Sequence, residues 1–169
     1  MELNVKFKLP DGHVTEYIDC INKDIEEELQ NYNVNVYKDN ISIDHLQTSM
    51  DIIKTYVEEA DDEIGNLLHV IGLLKEYDVS DEHNYKYVYS VLQCNINEDD
   101  YDFFEVKSYR ELGELYDKEI YPLNMREDYE LDERDEIINE IGIDKYYRGI
   151  GEDLFEQGIE SSYGIFLEK

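Results

Sequence analysis

NINEDDYDFF, residues 95–104, sets four acids among three aromatic rings, and carboxylates at such density are the usual makings of a calcium loop. An EF-hand loop wants Asp or Asn at its first, third and fifth positions and glycine at the sixth. Counted from Asn97, the fifth position is Tyr101 and the sixth is Asp102, so the pattern fails. Asp61-Asp62-Glu63-Ile64-Gly65 fails as well. Gly149-Ile150-Gly151 is half of a dinucleotide fingerprint, and Glu152 and Asp153 stand where a phosphate needs backbone amides free of competing charge. These glycines are expected in a turn or cap. His13, His45, His69 and His83 are scattered, and no GK[ST] or HExxH motif is present. Cys20 and Cys94 form no CxxC pair and are expected as reduced, buried thiols. Acids that lie close together do not by themselves make a general acid and base. The expectation is a protein that is not an enzyme, with no cofactor and no metal site.

What remains is charge. The chain of 169 residues carries 15 basic and 43 acidic residues, a net charge of −28. Seven basic and 20 acidic residues precede Cys94 and eight and 23 follow it, so the halves carry −13 and −15 and the charge is not an acidic tail. Disordered acidic chains are poor in aromatic and β-branched residues. This chain has 16 Tyr, 5 Phe and 41% hydrophobic residues, enough for a core. Self-repulsion on this scale costs stability. Anionic membranes and nucleic acid would both repel such a surface, so basic protein surfaces are its natural partners. Residues 1–12 show no apolar leader and no run approaches the roughly 20 residues that span a bilayer. A cytoplasmic protein is expected.

The elements that would position this charge read as α+β. Leu3, Val5, Phe7 and Leu9 alternate as a strand, Pro10-Asp11-Gly12 signals a turn, and Val14–Ile18 suits a returning strand. Asn22 is a candidate cap for a helix over 23–32, and Val34–Tyr37 reads as a third strand. Leu46, Met50, Ile53 and Val57 recur at helical spacing with Ser42 or Asp44 as cap, and Ile64, Leu67, Leu68, Ile71 and Leu74 form a second stripe. Gly65 and Gly72 on that stripe suggest close helix packing. Tyr87–Leu92 reads as a strand, 108–120 as a helix capped by Ser108 with Glu111 completing a capping box, and Arg134–Glu140 as a helix. Residues 150–157 read as a turn or two of helix and 163–167 as a last strand. The domains expected are a ββαβ-like unit over 1–41, a helical middle over 42–82 and a mixed unit over 83–169.

The opening stretch then reads as a folded, negative surface. Phe103 or Phe104 anchors it while Glu98, Asp99, Asp100 and Asp102 face water, followed by Glu105, Glu111, Glu114, Asp117, Glu127, Asp128, Glu130, Asp132 and Glu133. Helical acids three apart project about 5–6 Å from one another. Duplex DNA carries one charge per roughly 1.7 Å of axis, so 28 charges match about 50 Å of duplex. A body of this kind could occupy a DNA-binding groove. Halophilic adaptation, a solubility surface and an acidic chaperone for a basic protein are the competing readings. An abundance of Ile, Asn and Tyr fits an AT-rich genome better than a halophile's.

The chain resembles the ArdA antirestriction proteins, acidic DNA mimics carried by mobile elements. Ile41-Ser42-Ile43-Asp44-His45-Leu46 is similar to that family's T-S-I-x-E-L junction, and residues 98–120 resemble the start of its third domain. Ile143-Asp144-Lys145-Tyr146-Tyr147-Arg148-Gly149 and the later Tyr163-Gly164-Ile165-Phe166 resemble its I-D-Y-x-x-Y-G-R-D-L segment and closing strand. Lys145 and Ile150 depart from that pattern, Pro is scarce, and the family's usual opening is not seen. The resemblance implies an elongated three-domain α+β homodimer that blocks the DNA groove of Type I restriction-modification enzymes. It also implies that Ile143, Asp144, Tyr146, Tyr147 and Gly149 form the family motif or the dimer interface. The same logic aimed at a CRISPR effector, another nuclease or a repressor is the nearest alternative.

Overall fold

The computed structural model describes residues 1–169, an α+β chain that divides into two compact units, Met1–Asn95 and Ile96–Lys169. The two units share the charge as the halves of the sequence do.

In the first unit, β1 (Leu3–Lys8) is the centre of an antiparallel sheet, flanked by β2 (Ile18–Asp19) and β3 (Ser42–Thr48). The alternation on β1 is as expected: Leu3, Val5 and Phe7 are fully buried. The turn after it needs Gly12, whose φ of 85° lies in the left-handed region. The returning strand is shorter than the sequence suggests. Val14 makes only an isolated bridge to Lys8, because Thr15 uses its own hydroxyl to accept the Phe7 N–H at 3.0 Å. Asp24, not Asn22, caps α1 (Ile25–Gln30), accepting from the amides of Glu26 and Glu27.

Three expected elements are corrected here. Val34–Tyr37 is not a strand. Asn33 has φ 58°, and the side chains of Asn35 and Asp39 accept the local amides of Tyr37 and Asn35, so Val34 and Val36 are buried from a turn. The segment expected to open the second helix is β3. Leu3, Val5 and Phe7 face Thr48, Leu46 and Ile43, and the register shifts between Lys6 and Phe7. That bulge spaces two inward residues of β3, Ile43 and Leu46, three apart. The helical reading comes from Leu46 in the strand and Met50 just before α2, which fall four apart. The helix itself, α2 (Asp51–Glu58), starts later and buries Ile53 and Val57. Tyr87–Leu92 is not a strand but the middle of α4 (Glu82–Cys94). Val88, Val91 and Leu92 are its buried face, at helical spacing, and Asp81 caps its start. The aromatic and β-branched content suggested a strand; tertiary packing decided otherwise.

The long stripe is α3 (Glu63–Glu76), capped by Asp62, with Leu67, Val70, Ile71, Leu73 and Leu74 buried. The domain boundary expected near 41 does not divide the chain, since β3 pairs with β1 and joins 42–48 to the first sheet. The boundary expected near 82 falls inside the first unit too, because α4 belongs to it.

The second unit holds an antiparallel sheet of order β4 (Tyr101–Phe104), β6 (Ile165–Glu168), β5 (Ile159–Glu160). Its helices are α5 (Tyr109–Leu115), continued by a π-helical turn over Tyr116–Ile120, then α6 (Asp128–Ile141) and α7 (Ile143–Gln157). Ser108 caps α5 as expected, accepting the Glu111 amide at 3.2 Å, while Glu111 accepts from Lys107 rather than from the cap residue. Gly142, with φ 87°, is the whole link between α6 and α7. Gly149 and Gly151 are inside α7, not in a turn.

The apolar core of this unit is thin: Leu112, Ile165 and Phe166 are its buried apolar side chains. Small domains need supplementary staples. Here one is backbone contact. A side chain on Gly113 of α5 would overlap the Tyr147 carbonyl of α7, and one on Gly151 of α7 would overlap the Tyr109 carbonyl of α5. Each helix therefore lays a glycine on the other's main chain. The close packing expected of Gly65 and Gly72 is found here instead: a side chain on Gly72 would meet open space, and Gly65 abuts its own cap, Asp62.

Candidate acidic interface

The opening stretch is built into the second sheet. Glu98–Asp100 form a 3-10 turn and Tyr101–Phe104 pair with Ile165–Glu168. Phe103 packs on buried Phe166 with ring centroids 4.9 Å apart. Asp99, Asp100 and Asp102 are exposed, and Glu98 and Glu105 are half-buried. The C-terminal residue ties the turn down, Lys169 donating from its amide to the Asp100 carbonyl at 3.1 Å and from Nζ to the Asp99 carbonyl at 3.0 Å.

On α5, Glu111 is exposed and Glu114 is half-buried between two cations. Lys118 Nζ lies 2.7 Å and Arg110 Nη1 2.8 Å from its carboxylate, and the Lys118 hydrogen bond leads in holding that carboxyl below its usual range. Arg110 also reaches Asp144 on α7 at 2.8 Å.

Asp117, grouped by sequence with the surface acids, is buried, with 5% of the residue exposed. The π-helical turn rotates it inward. Its carboxylate lies 2.5 Å from Arg126 and 2.9 Å from Arg134, whose side chains are 5% and 14% exposed. Arg126 also donates to the Tyr121 carbonyl at 2.9 and 3.2 Å, and its guanidinium sits 5.2 Å from the rings of both Tyr116 and Tyr121. Arg134 lies 5.5 Å from the Tyr146 ring. Two positive charges of the unit are thus taken inside it.

Arg134 is a residue of α6, the most acidic element. Asp128, Glu130, Asp132, Glu133, Asp135, Glu136 and Glu140 make seven acids in its 14 residues, and none of its residues is fully buried. Glu130 is half-buried, accepting the Glu127 amide at 2.7 Å and the Tyr121 hydroxyl at 3.2 Å. Burial and then that hydrogen bond push the Tyr121 hydroxyl above its ordinary range, so it stays a neutral donor. The other six acids, and Glu127 before them, are exposed. Asp128, Asp132, Glu136 and Glu140 recur every fourth residue along one face. A helix of this length spans about 21 Å, so its acids average one per about 3 Å, beside one phosphate per 3.4 Å along a DNA strand. Asp135, Glu136 and Glu140 are absent from the acids expected above although they lie inside the expected helix Arg134–Glu140, whose start the structure moves forward to Asp128. Glu127 and Glu130, three apart ahead of the helix, are the signal for its true start.

Of the motif residues, Ile143 is 45% exposed, Asp144 and Gly149 are exposed, and Tyr146 and Tyr147 are half-buried. The Tyr147 main chain carries Gly113, and the Tyr146 hydroxyl accepts from Arg126 at 3.5 Å. No three of the His, Cys, Asp and Glu residues converge to hold a metal ion. Burial, reinforced by the Asp19 charge, pushes the Cys20 thiol up to about 12, so it is protonated at neutral pH. No helix is long and apolar enough to cross a membrane. No protein-family model matches the chain, and neither a curated protein nor a solved structure matches it.

Proposed function

We propose that this protein is a DNA mimic that occupies the DNA-binding groove of a Type I restriction-modification enzyme and inhibits it by competition, without catalysis or cofactor. The observation that carries the reading is α6: a regular helix with exposed acids every fourth residue and a charge density along its axis close to that of a nucleic-acid strand. The cations of the same unit support it. Arg126 and Arg134 are spent on Asp117 and Asp135, and Arg110, Lys118 and Arg148 pair with acids of their own surface. The field outside is therefore left negative. A cytoplasmic location goes with such a target.

Homodimerisation belongs to the same proposal. Ile137, Ile141 and Ile143 at the junction of α6 and α7 are 37%, 42% and 45% exposed, an apolar group within the acidic surface. The alternative targets are a CRISPR effector, another nuclease or a repressor. An acidic chaperone would need no regular row of acids, and the row on α6 favours the mimic. Titrating the protein into a Type I enzyme bound to a labelled target duplex tests the reading: displacement supports it, and duplex retained beside folded protein removes it.

A further inference from the structure

Beside the acidic face, the second unit has a cleft of about 490 Å³ between α5 with its π-helical turn, α6 and α7. Tyr116, Tyr121 and Tyr146 supply aromatic walls, Leu154 an apolar wall, and Glu130 and Asp153 carboxylates. We propose that this cleft is a socket for an arginine side chain of the partner protein, which anchors the acidic face at one fixed point. This rests on the reading above that the partner is a basic protein.

The chemistry is argued from what the cleft already holds. Its wall includes Arg126, whose guanidinium lies over two of these tyrosine rings at 5.2 Å each. Planar guanidinium stacks on aromatic faces and accepts carboxylates as a fork, which ammonium does less well. Arg126 does not fill the site with repulsion: it pairs with Asp117 at 2.5 Å, the other cation on that carboxylate, Arg134, pairs also with Asp135 at 3.0 Å, and only 5% of the Arg126 side chain is exposed. The uncompensated charge of the lining is that of Glu130 and Asp153, and it is negative. Glu130 has one oxygen, Oε1, whose contact is the Tyr121 hydroxyl at 3.3 Å, so it retains acceptor capacity. Asp153 is exposed at the rim. A ligand of one positive, flat, hydrogen-bonding group on an apolar stem matches this lining. A diffuse acidic surface attracts cations without choosing among them; the socket chooses.

The test is an NMR titration of the full chain with N-acetyl-arginine amide, in about 0.3 M salt to screen the open surface, with N-acetyl-citrulline amide as the uncharged isostere. The expected result is saturable binding, with shifts concentrated on Tyr116, Tyr121, Tyr146 and Leu154, and none with citrulline. Asp153→Asn, on the surface and safe for folding, should weaken binding about two- to fivefold, the scale of one exposed ion pair. Leu154→Trp, which fills the cleft without changing charge, should abolish it while the melting curve shows a folded protein. Shifts that never saturate, or that spread over α6 and persist in Leu154→Trp, would overturn the socket. The two readings fail separately: arginine binding without displacement of duplex removes the restriction enzyme as partner, and displacement without arginine binding removes the socket alone.

Discussion

The Asp117 carboxylate lies 2.5 Å from the Arg126 guanidinium, a buried pair in a unit whose surface is otherwise crowded with exposed acids. Arg134 completes the cluster from α6, a helix with no fully buried residue of its own. Removing one partner of a buried ion pair leaves the other charges uncompensated and costs about 3–5 kcal/mol. Asp117→Asn should therefore destabilise the second unit on that scale, read as a lowered midpoint in urea unfolding followed by a probe on α6. An Asn variant that unfolds with the wild type would show that the cluster does not hold α6.

The glycine contacts between α5 and α7 make a sharper pair of expectations. Gly113→Ala and Gly151→Ala push a methyl into the carbonyls of Tyr147 and Tyr109. Backbone cannot yield as a side chain can, so each should cost at least the roughly 1–3 kcal/mol typical of overpacking. Gly149→Ala, two residues from Gly151 on the same helix, meets open space and should stabilise by roughly 0.5–1 kcal/mol through helix propensity. Thermal melts of the three variants settle the contrast, and equal effects at 149 and 151 would contradict it.

That contrast shows where the sequence is legible. The alternation of Leu3, Val5 and Phe7 is read correctly because one face of β1 meets the core at a regular period, and the stripe of α3 in part: Leu67, Ile71 and Leu74 are buried, Ile64 and Leu68 are half-buried, and the buried Val70 and Leu73 lie outside it. β3 is misread because its Leu46 and the following Met50 fall four apart and run in step with α2, and α4 because Tyr and Val favour strands while their spacing favours a helix. The acids of the second unit are recognisable as a group, but not which one turns inward. Asp117 differs from Glu114 or Asp132 only through a π-helical turn that no local pattern announces. Gly149 and Gly151 look alike in sequence, and only the position of α5 separates them.

Asp19 gives a pH-dependent expectation. Its carboxylate accepts the Asn22 side-chain amide at 2.8 Å and the amides of Ile21 and Asn22 at 3.2 Å, and these hydrogen bonds, the Asn22 side chain first, hold its pKa below the ordinary carboxylate range. A depressed carboxyl pKa contributes stability that is present above the unfolded value, roughly pH 4, and is lost as pH falls through the folded value. Asn22→Ala should raise the Asp19 pKa toward the ordinary range in a carboxyl NMR titration. The stability gap between it and the wild type should be present at neutral pH and shrink in acid. A gap that widens in acid would mean that the Asn22 contact does not favour the charged carboxylate.

Charge reversal separates the acidic elements. Asp128, Asp132, Glu136 and Glu140 to Lys should abolish inhibition of the target enzyme while circular dichroism stays native, since these side chains face solvent. Asp99, Asp100 and Asp102 to Lys should reduce it as well. Full inhibition by a folded α6 variant would place the contact elsewhere on the protein.

The central claim is that carboxylates here stand in for phosphates, and the direct measurement is displacement of a labelled duplex from a Type I restriction enzyme at two salt concentrations. The expected result is stoichiometric displacement at low salt, with the protein's own affinity for the enzyme falling at the higher salt as the duplex's does, because both hold the groove through charge. A folded protein that leaves the duplex bound at low salt would contradict the claim.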